Sequence, residues 1–293
     1  MKRREFICNT AMLGTTASLW SSASAGASPL DQRGRQAGSP RDDADRSADR
    51  DPLAVLRSTL VVDGQDQFVP GYDGAVRIFR EGGVDCVQAT VGGVQSFADV
   101  YNFIDTRKSE VRVARSVAEI RQARQDGRLA LVLGWQSARH LQLDPENPIS
   151  GPPKTPLRAY YEMGLRLSMF TYNVANMFAG GNVGEDWKIG LTNAGRRLLE
   201  EFHKLGIIAD VGGHSSEQTA FDAIAMSGGI PVVCSHTNVR ALNDHVRAIS
   251  DRLIEAIAGT GGVIGLTAVN DFLARNPSNS GVPITPPVPL DRL

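Results

Sequence analysis

The chain has 293 residues, which is enough for one large globular domain or two small ones. Its 31 basic and 32 acidic residues nearly balance, so the composition predicts no basic surface and argues against nucleic acid as a partner. Three cysteines are too few for a disulfide framework, and Cys86 and Cys234 fall in apolar runs where we expect small buried side chains.

The first 25 residues have the pattern of an export signal. Arg3 and Arg4 form a twin-arginine pair, a mildly apolar run follows at 11–20, and Ala23-Ser24-Ala25 offers a small-residue cleavage site. A basic amphipathic helix is the alternative interpretation. The apolar run is too short to span a membrane, and no other stretch reaches that length. The sequence therefore predicts twin-arginine export to the periplasm and no transmembrane span.

The predicted folded domain occupies residues 52–275, between a disordered linker at 26–51 and a proline-rich tail at 276–293. The linker is predicted from its polar composition, which is almost free of apolar side chains. Within the domain, short apolar runs alternate with segments of helical apolar spacing, which is typical of an α/β fold with a parallel sheet. The predicted strands are 60–64, 83–89, 129–134, 165–172, 207–211, 231–235 and 262–267, and the predicted helices are 53–60, 73–81, 97–107, 116–125, 157–163, 193–205, 217–226 and 251–258.

Seven predicted strands point to a TIM-type barrel, which has eight. We therefore expect a (β/α)8-like barrel that is truncated after strand seven, because the sequence beyond residue 274 is rich in Asn, Ser, Gly and Pro. The first and seventh strands would then each have an unpaired edge, and the proline-rich tail cannot supply a strand. Such edges favour aggregation or a homodimer that covers them.

His214 and His236 follow two predicted strands in equivalent positions. The strand at 207–211, the helix at 217–226 and the strand at 231–235 form a βαβ unit, so both strands end at the same edge of the sheet. Barrels build their sites at that edge. Two histidines there can reach one metal ion or one substrate atom, although each could instead be a hydrogen-bonded structural residue. Asp210, just before His214, could support an imidazole or cap the next helix.

Several segments together resemble the membrane (renal) dipeptidase family. They are Val62-Asp63-Gly64, Gly164-Leu165-Arg166, Thr171-Tyr172-Asn173, 190–196, 205–214, 231–238, 247–251 and 261–265. The resemblance implies a zinc-dependent (β/α)8 barrel with two bridged metal ions that hydrolyses dipeptides. It also implies that His214 and His236 are ligands of the second metal and that Arg247 binds the substrate carboxylate. Tyr172 stands where the family has a histidine that contacts the substrate.

The sequence departs from that family at the remaining ligands. Asp63-Gly64-Gln65-Asp66-Gln67 stands where the family has His-x-Asp, and Gln136 stands in place of the bridging glutamate. Gly212-Gly213 replaces a single serine, and the acidic residue of the eighth strand has no counterpart. Two imidazoles alone bind zinc weakly, so the third ligand would be Gln136, Asp66 or water. We therefore expect one zinc ion rather than two.

The sequence thus predicts an exported, membrane-dipeptidase-like hydrolase of dipeptides or related small amides with a reduced metal site. The alternative is a catalytically inactive barrel, either a ligand-binding protein or a truncated gene product. The predicted metal ligands are His214, His236 and Gln136, the predicted substrate-binding residues are Arg247 and Tyr172, and no catalytic residue is assigned.

Overall fold

A computed structural model of the chain describes residues 52–66, 74–141 and 156–273. The predicted signal peptide, linker and proline-rich tail lie outside these ranges. The chain divides into two units, Met1–Val55 and Leu56–Leu293, and the sheet, the core and the site all belong to the second.

The described strands form one parallel sheet. They are β1 (Val62–Asp66), β2 (Cys86–Thr90), β3 (Val111–Val113), β4 (Leu129–Trp135), β5 (Leu165–Met169), β6 (Ile208–Asp210), β7 (Val233–Val239), β8 (Ala248–Ile249) and β9 (Val263–Leu266). Strands β1, β2, β4, β5, β6, β7 and β9 pair in this order, each parallel to its neighbour. These seven correspond to the seven predicted strands, and they curl into a half-barrel. The predicted α/β fold of the TIM type is confirmed.

Helices follow most of these strands, as the alternating sequence pattern predicts. They are α1 (Pro52–Ser58), α2 (Ala75–Glu81), α3 (Val94–Asp105), α4 (Val117–Gln125), α5 (Leu157–Glu162), α6 (Asn193–Leu205), α7 (Glu217–Met226), α8 (Asp251–Gly259) and α9 (Asn270–Leu273). Four of them begin after a Ser or Thr whose hydroxyl accepts the backbone N–H three residues on, at Ser116, Thr192, Ser216 and Ser250. Among the described helices, none combines the length and apolar character needed to cross a membrane.

Helix α6 shows how the core is built between the helices and the sheet. Its Leu198, Leu199 and Phe202 share one face and are buried. The Phe202 ring packs against that of Phe170, which follows β5, with centroids 5.6 Å apart. Gly206 ends the helix in the left-handed conformation, at φ 75°, which glycine adopts without steric cost. The strong sequence prediction for this helix, residues 193–205, matches the structure.

The structure differs from the sequence prediction mainly at strand ends and in two short strands. β7 continues to Val239, so His236 lies inside the strand rather than after it. β3 pairs with the first half of β4, and β8 pairs with the last residues of β7. Strands of two or three residues are too short to produce a recognisable apolar pattern, which is why the sequence did not reveal them.

The two outer strands of the half-barrel converge on β7 at one backbone carbonyl. A Cβ atom on Gly64 of β1 would lie 2.9 Å from the oxygen of Ser235, and one on Gly265 of β9 would clash with that same atom. Glycine at both positions permits this approach. Among the described strands, β1 pairs only with β2 and β9 only with β7, so each has one free edge, as predicted.

Candidate functional site

A cavity of about 830 Å³ opens beside the ends of β1, β7 and β9. The five residues that the sequence predicts for metal or substrate binding all line it: Gln136, Tyr172, His214, His236 and Arg247. They come from five different segments, which are the loops after β4, β5 and β6, the strand β7 and the loop before β8, and the curl of the sheet brings them together. Asp63 and Asp66 of β1 line the same cavity.

His214 is held at both ring nitrogens. Its Nδ1 lies 2.6 Å from Oδ1 of Asn173, and its Nε2 lies 3.0 Å from Nη2 of Arg247. The Tyr172 ring stacks on the imidazole, with centroids 3.9 Å apart and planes 25° apart. Only 2% of the His214 surface is exposed. The imidazole is therefore fixed in both position and orientation.

Asn173 is a site residue to which the sequence assigned no role. It has φ 64° and is the one residue other than glycine with positive φ in the described part of the chain. Asparagine tolerates this conformation better than most residues do. The turn directs its amide oxygen to His214. The sequence signal was weak, because Asn173 stands out only through the Thr171-Tyr172-Asn173 segment.

His236 approaches His214 from the neighbouring strand. The two ring centroids are 5.0 Å apart and the planes are tilted by 59°. Nδ1 of His236 lies 2.8 Å from the hydroxyl of Ser235, and Nε2 has no hydrogen bond within the described ranges. The predicted convergence of the two histidines is therefore observed in the geometry.

Both imidazoles are neutral at physiological pH. Burial, followed by the charge of Arg247, lowers the pKa of His214 to about 2 and that of His236 to about 3. Burial also lowers the pKa of Arg247 to about 10, which leaves its guanidinium charged at neutral pH. The site therefore pairs one fixed cation with two uncharged imidazoles.

Arg247 is positioned by contacts on several sides. Its guanidinium lies over the Phe272 ring at 5.1 Å, and its backbone carbonyl accepts a 2.8 Å hydrogen bond from the Thr237 hydroxyl. Gly213 has φ 65°, and a Cβ atom there would lie 2.9 Å from Nη2 of Arg247 and 2.5 Å from the carbonyl oxygen of His236. Glycine is therefore required at position 213, because the His236 carbonyl and the Arg247 guanidinium leave no room for a Cβ atom there.

Gln136 joins a neutral hydrogen-bonded group rather than the histidines. Its Nε2 donates to the Thr90 hydroxyl at 3.3 Å, and Nε2 of Gln65 donates to the same oxygen at 2.7 Å. These two amides occupy the region where the sequence resemblance implies acidic ligands. They carry no charge that could offset a divalent cation.

Asp63 and Asp66 of β1 both line the cavity, although strict alternation along a strand would place only one of them on that side. Asp63 and Asp66 are three residues apart, so a regular strand would direct them to opposite faces. The pairing of β1 with β2 is irregular between these residues, and both line the cavity. Burial raises the pKa of both side chains, and the charge of Asp63 raises that of Asp66 further.

The described residues do not complete a catalytic zinc site. Across residues 52–66, 74–141 and 156–273, no group of three or more His, Cys, Asp or Glu side chains is placed to hold a metal ion. Catalytic zinc normally has three protein ligands and one open position. His214 and His236 supply two imidazoles, and a cationic guanidinium already contacts the first. One zinc ion at His214, His236 and Gln136 therefore stays a prediction.

Similarity to known proteins decides the family of the chain. The family model described as "Membrane dipeptidase (Peptidase family M19)" matches residues 70–283, which is most of the chain. This chain belongs to the membrane dipeptidase family. The resemblance seen in the sequence is thereby confirmed.

Two individual proteins are similar to parts of this chain. An uncharacterized dipeptidase of Schizosaccharomyces pombe is 30% identical over 135 residues, which are 46% of this chain and 32% of that protein. The chain therefore spans about a third of the length of this relative. A protein encoded in the pqqA 5' region of Klebsiella pneumoniae is 30% identical over 197 residues, covering 65% of this chain and 69% of its own.

Solved structures of a metallopeptidase and of a probable dipeptidase share the fold. A metallopeptidase from Rhodobacter sphaeroides, liganded with a phosphinate mimic of the dipeptide L-Ala-D-Ala, superposes with a TM-score of 0.59 at 20% identity, covering 73% of this chain and 75% of that one. The probable dipeptidase PvdM from Pseudomonas aeruginosa gives a TM-score of 0.66 at 20% identity, covering 82% and 66%. At this identity the likeness shows the fold alone.

Proposed function

We propose that this protein hydrolyses dipeptides or closely related small amides that carry a free carboxylate. The observation that carries the proposal is the meeting of Arg247 with two neutral imidazoles, His214 and His236, at one cavity of a membrane dipeptidase barrel. The choice of substrate class is supported by membership of the family and by the Rhodobacter metallopeptidase, whose ligand is a dipeptide mimic.

Arg247 is the group suited to select a carboxylate. Its guanidinium is charged and partly buried, and hydrogen bonds between a guanidinium and a carboxylate are stronger than neutral ones. A cavity of about 830 Å³ is within the usual size range of small-molecule sites. Nε2 of the neutral His236 imidazole has no hydrogen bond among the described residues, so it is available to form one with water or with a substrate group.

A second candidate function is the binding of a small carboxylate ligand without hydrolysis. The observation that favours it is the incomplete set of metal ligands in the described residues, together with the contact between Arg247 and His214. In this candidate the barrel keeps its recognition of a carboxylate and has lost the metal-dependent chemistry of its family.

A single experiment separates the two candidates. The purified full-length chain is incubated with a panel of dipeptides, with added zinc, without added metal and with EDTA, and the released amino acids are quantified by mass spectrometry. The matched control for each substrate is the same dipeptide with its C-terminal carboxylate converted to an amide.

The hydrolase proposal expects release from the dipeptides and little or none from the amidated controls. If calorimetry shows dipeptide binding but no release occurs under any metal condition, the protein is a binding barrel. If neither binding nor release is detected, the assignment of a carboxylate site to Arg247 is wrong.

A further inference from the structure

Arg247 and a metal ion compete for the same atom. Nε2 of His214 lies 3.0 Å from Nη2 of Arg247, and Nδ1 of His214 lies 2.6 Å from the amide oxygen of Asn173. An amide oxygen only accepts hydrogen bonds, so the imidazole hydrogen is on Nδ1 and the lone pair is on Nε2. That lone pair is the one a metal would bind, and the guanidinium already uses it.

The imidazole has little freedom to offer another lone pair. It is almost fully buried, and Tyr172 stacks on one face with ring centroids 3.9 Å apart. Turning the ring over would put ring carbon atoms opposite the Asn173 amide oxygen and the Arg247 guanidinium, so both hydrogen bonds would be lost. The orientation in which Nε2 faces Arg247 is therefore the one that the surroundings stabilise.

Arg247 is anchored without help from His214. Its backbone N–H donates to Nδ1 of His245 at 3.1 Å, its carbonyl accepts from Thr237 at 2.8 Å, and its guanidinium lies over Phe272. The absence of a Cβ atom at Gly213 leaves room for the guanidinium beside the imidazole. The cation would also repel a divalent ion placed at the same ring nitrogen.

We propose that Arg247 acts as an internal competitor of divalent metal at His214, so that the site excludes zinc while the two side chains are in contact. This competition with zinc is distinct from substrate binding. An arginine that only binds the substrate carboxylate has no effect on zinc affinity when no substrate is present. The proposal does not depend on whether the protein hydrolyses dipeptides.

The test is calorimetric titration of zinc chloride into the metal-free, full-length protein and its variants, with no dipeptide present. Arg247→Met keeps most of the side-chain volume and removes the charge and the donors. We expect it to bind zinc at least about tenfold more tightly than the wild type, which corresponds to about 1.4 kcal/mol. Adding His214→Ala to Arg247→Met should abolish that gain.

Arg240→Met is the matched control, because Arg240 pairs with Glu217 at 3.1 Å and makes no contact with His214. Its zinc affinity should equal that of the wild type. Zinc affinity of Arg247→Met that is unchanged or weaker than that of the wild type overturns the proposal.

A second measurement on the wild type serves even if a variant fails to fold. Long-range ¹H–¹⁵N spectra of the histidine side chains should show His214 with its hydrogen on Nδ1, unchanged when one equivalent of zinc is added. A zinc-dependent shift of the His214 Nε2 resonance at that ratio would contradict the proposal. If the zinc measurements give the expected results and the dipeptide assay shows no release, Arg247 competes with zinc for His214 in a protein that is not a peptidase.

Discussion

Oδ1 of Asp210 accepts a 3.1 Å hydrogen bond from the backbone N–H of Ser235, which joins the strand leading to His214 to the strand that carries His236. The same oxygen accepts the backbone N–H of Gly212 at 3.0 Å. Both roles considered for Asp210 from the sequence are absent from the structure. It contacts neither imidazole, and the hydroxyl of Ser216 caps helix α7 instead. Asp210 therefore aligns the two histidine segments through their backbones.

We predict that Asp210 makes the fold less stable as the pH rises. Complete burial raises the pKa of Asp210 from 3.8 to about 6, so the folded chain keeps a proton that the unfolded chain has lost. The contribution of Asp210 to the free energy of unfolding should therefore fall between about pH 4 and pH 6, by about 3 kcal/mol in total. Asp210→Asn keeps an accepting oxygen and should not show this decrease. Urea unfolding of both proteins across this pH range measures the difference.

Ser168→Ala provides the comparison for this prediction, because Ser168 is buried and its hydroxyl does not titrate in this pH range. Its unfolding free energies should run parallel to those of the wild type across the same pH range. If the Asp210→Asn protein also runs parallel to the wild type, burial of Asp210 has no effect on the pH dependence.

A second prediction concerns the inserted glycine. Gly213→Ala should cost more stability than the ~1–2 kcal/mol of a left-handed alanine, because its Cβ atom would also meet the His236 carbonyl and Arg247. Gly83→Ala is the matched variant, since Gly83 has φ 78° and open space around its Cβ position. Thermal melting of the two variants should show the larger loss for Gly213→Ala. Equal losses would show that the approach of Arg247 does not require glycine there.

A third prediction concerns recognition of the carboxylate. Arg247→Lys keeps the charge but loses the planar pair of donors, whereas Arg247→Met loses both. A charge-assisted hydrogen bond contributes about 1.5–3 kcal/mol, so Arg247→Met should weaken dipeptide binding by roughly 10- to 100-fold, with Arg247→Lys between it and the wild type. Binding of the amidated dipeptide should change little in either variant. Calorimetry on the wild type and the two variants measures the affinity for each ligand, and an equal loss for both ligands would assign Arg247 a structural role.

A fourth prediction concerns export, and its residues lie outside the described ranges. Replacing Arg3 and Arg4 together by lysine should keep the precursor in the cytoplasm, because the twin-arginine pathway recognises the arginine pair. Fractionation of cells that express the wild type or the double variant, followed by immunoblotting, measures the distribution. Unchanged delivery of the variant to the periplasm would exclude this pathway.

A fifth prediction concerns association through the free strand edges. Val62 of β1 and Val263 of β9 are about half exposed, and an apolar strand edge is a template for pairing between chains. We expect the mature chain, residues 26–293, to dimerise or aggregate with increasing concentration, and Val62→Lys to reduce this. Ile78→Lys on helix α2, at a similarly exposed position, should not. Light scattering that shows a monomer at all concentrations would refute the prediction.

The sequence by itself determined the class of fold, and it predicted residues that the structure places around one cavity. Buried parallel strands are apolar on both faces, so they stand out as short β-branched runs, and the helices between them show one apolar face. Because parallel strands end at a common edge, the positions of His214 and His236 were enough to predict that the two imidazoles meet. The family followed from the same segments together with Arg247.

Only the tertiary structure decided how these residues interact. The contact of Arg247 with His214 joins residues 33 positions apart, and that of Asn173 with His214 joins residues 41 positions apart. Both depend on loop conformations, and the periodicity of a sequence carries no information about which loop atoms meet. The sequence likewise did not show that position 213 needs glycine, because the steric reason is the His236 carbonyl on the neighbouring strand β7. The residue types predicted a metal site, whereas their arrangement places a guanidinium on the imidazole that the metal would need.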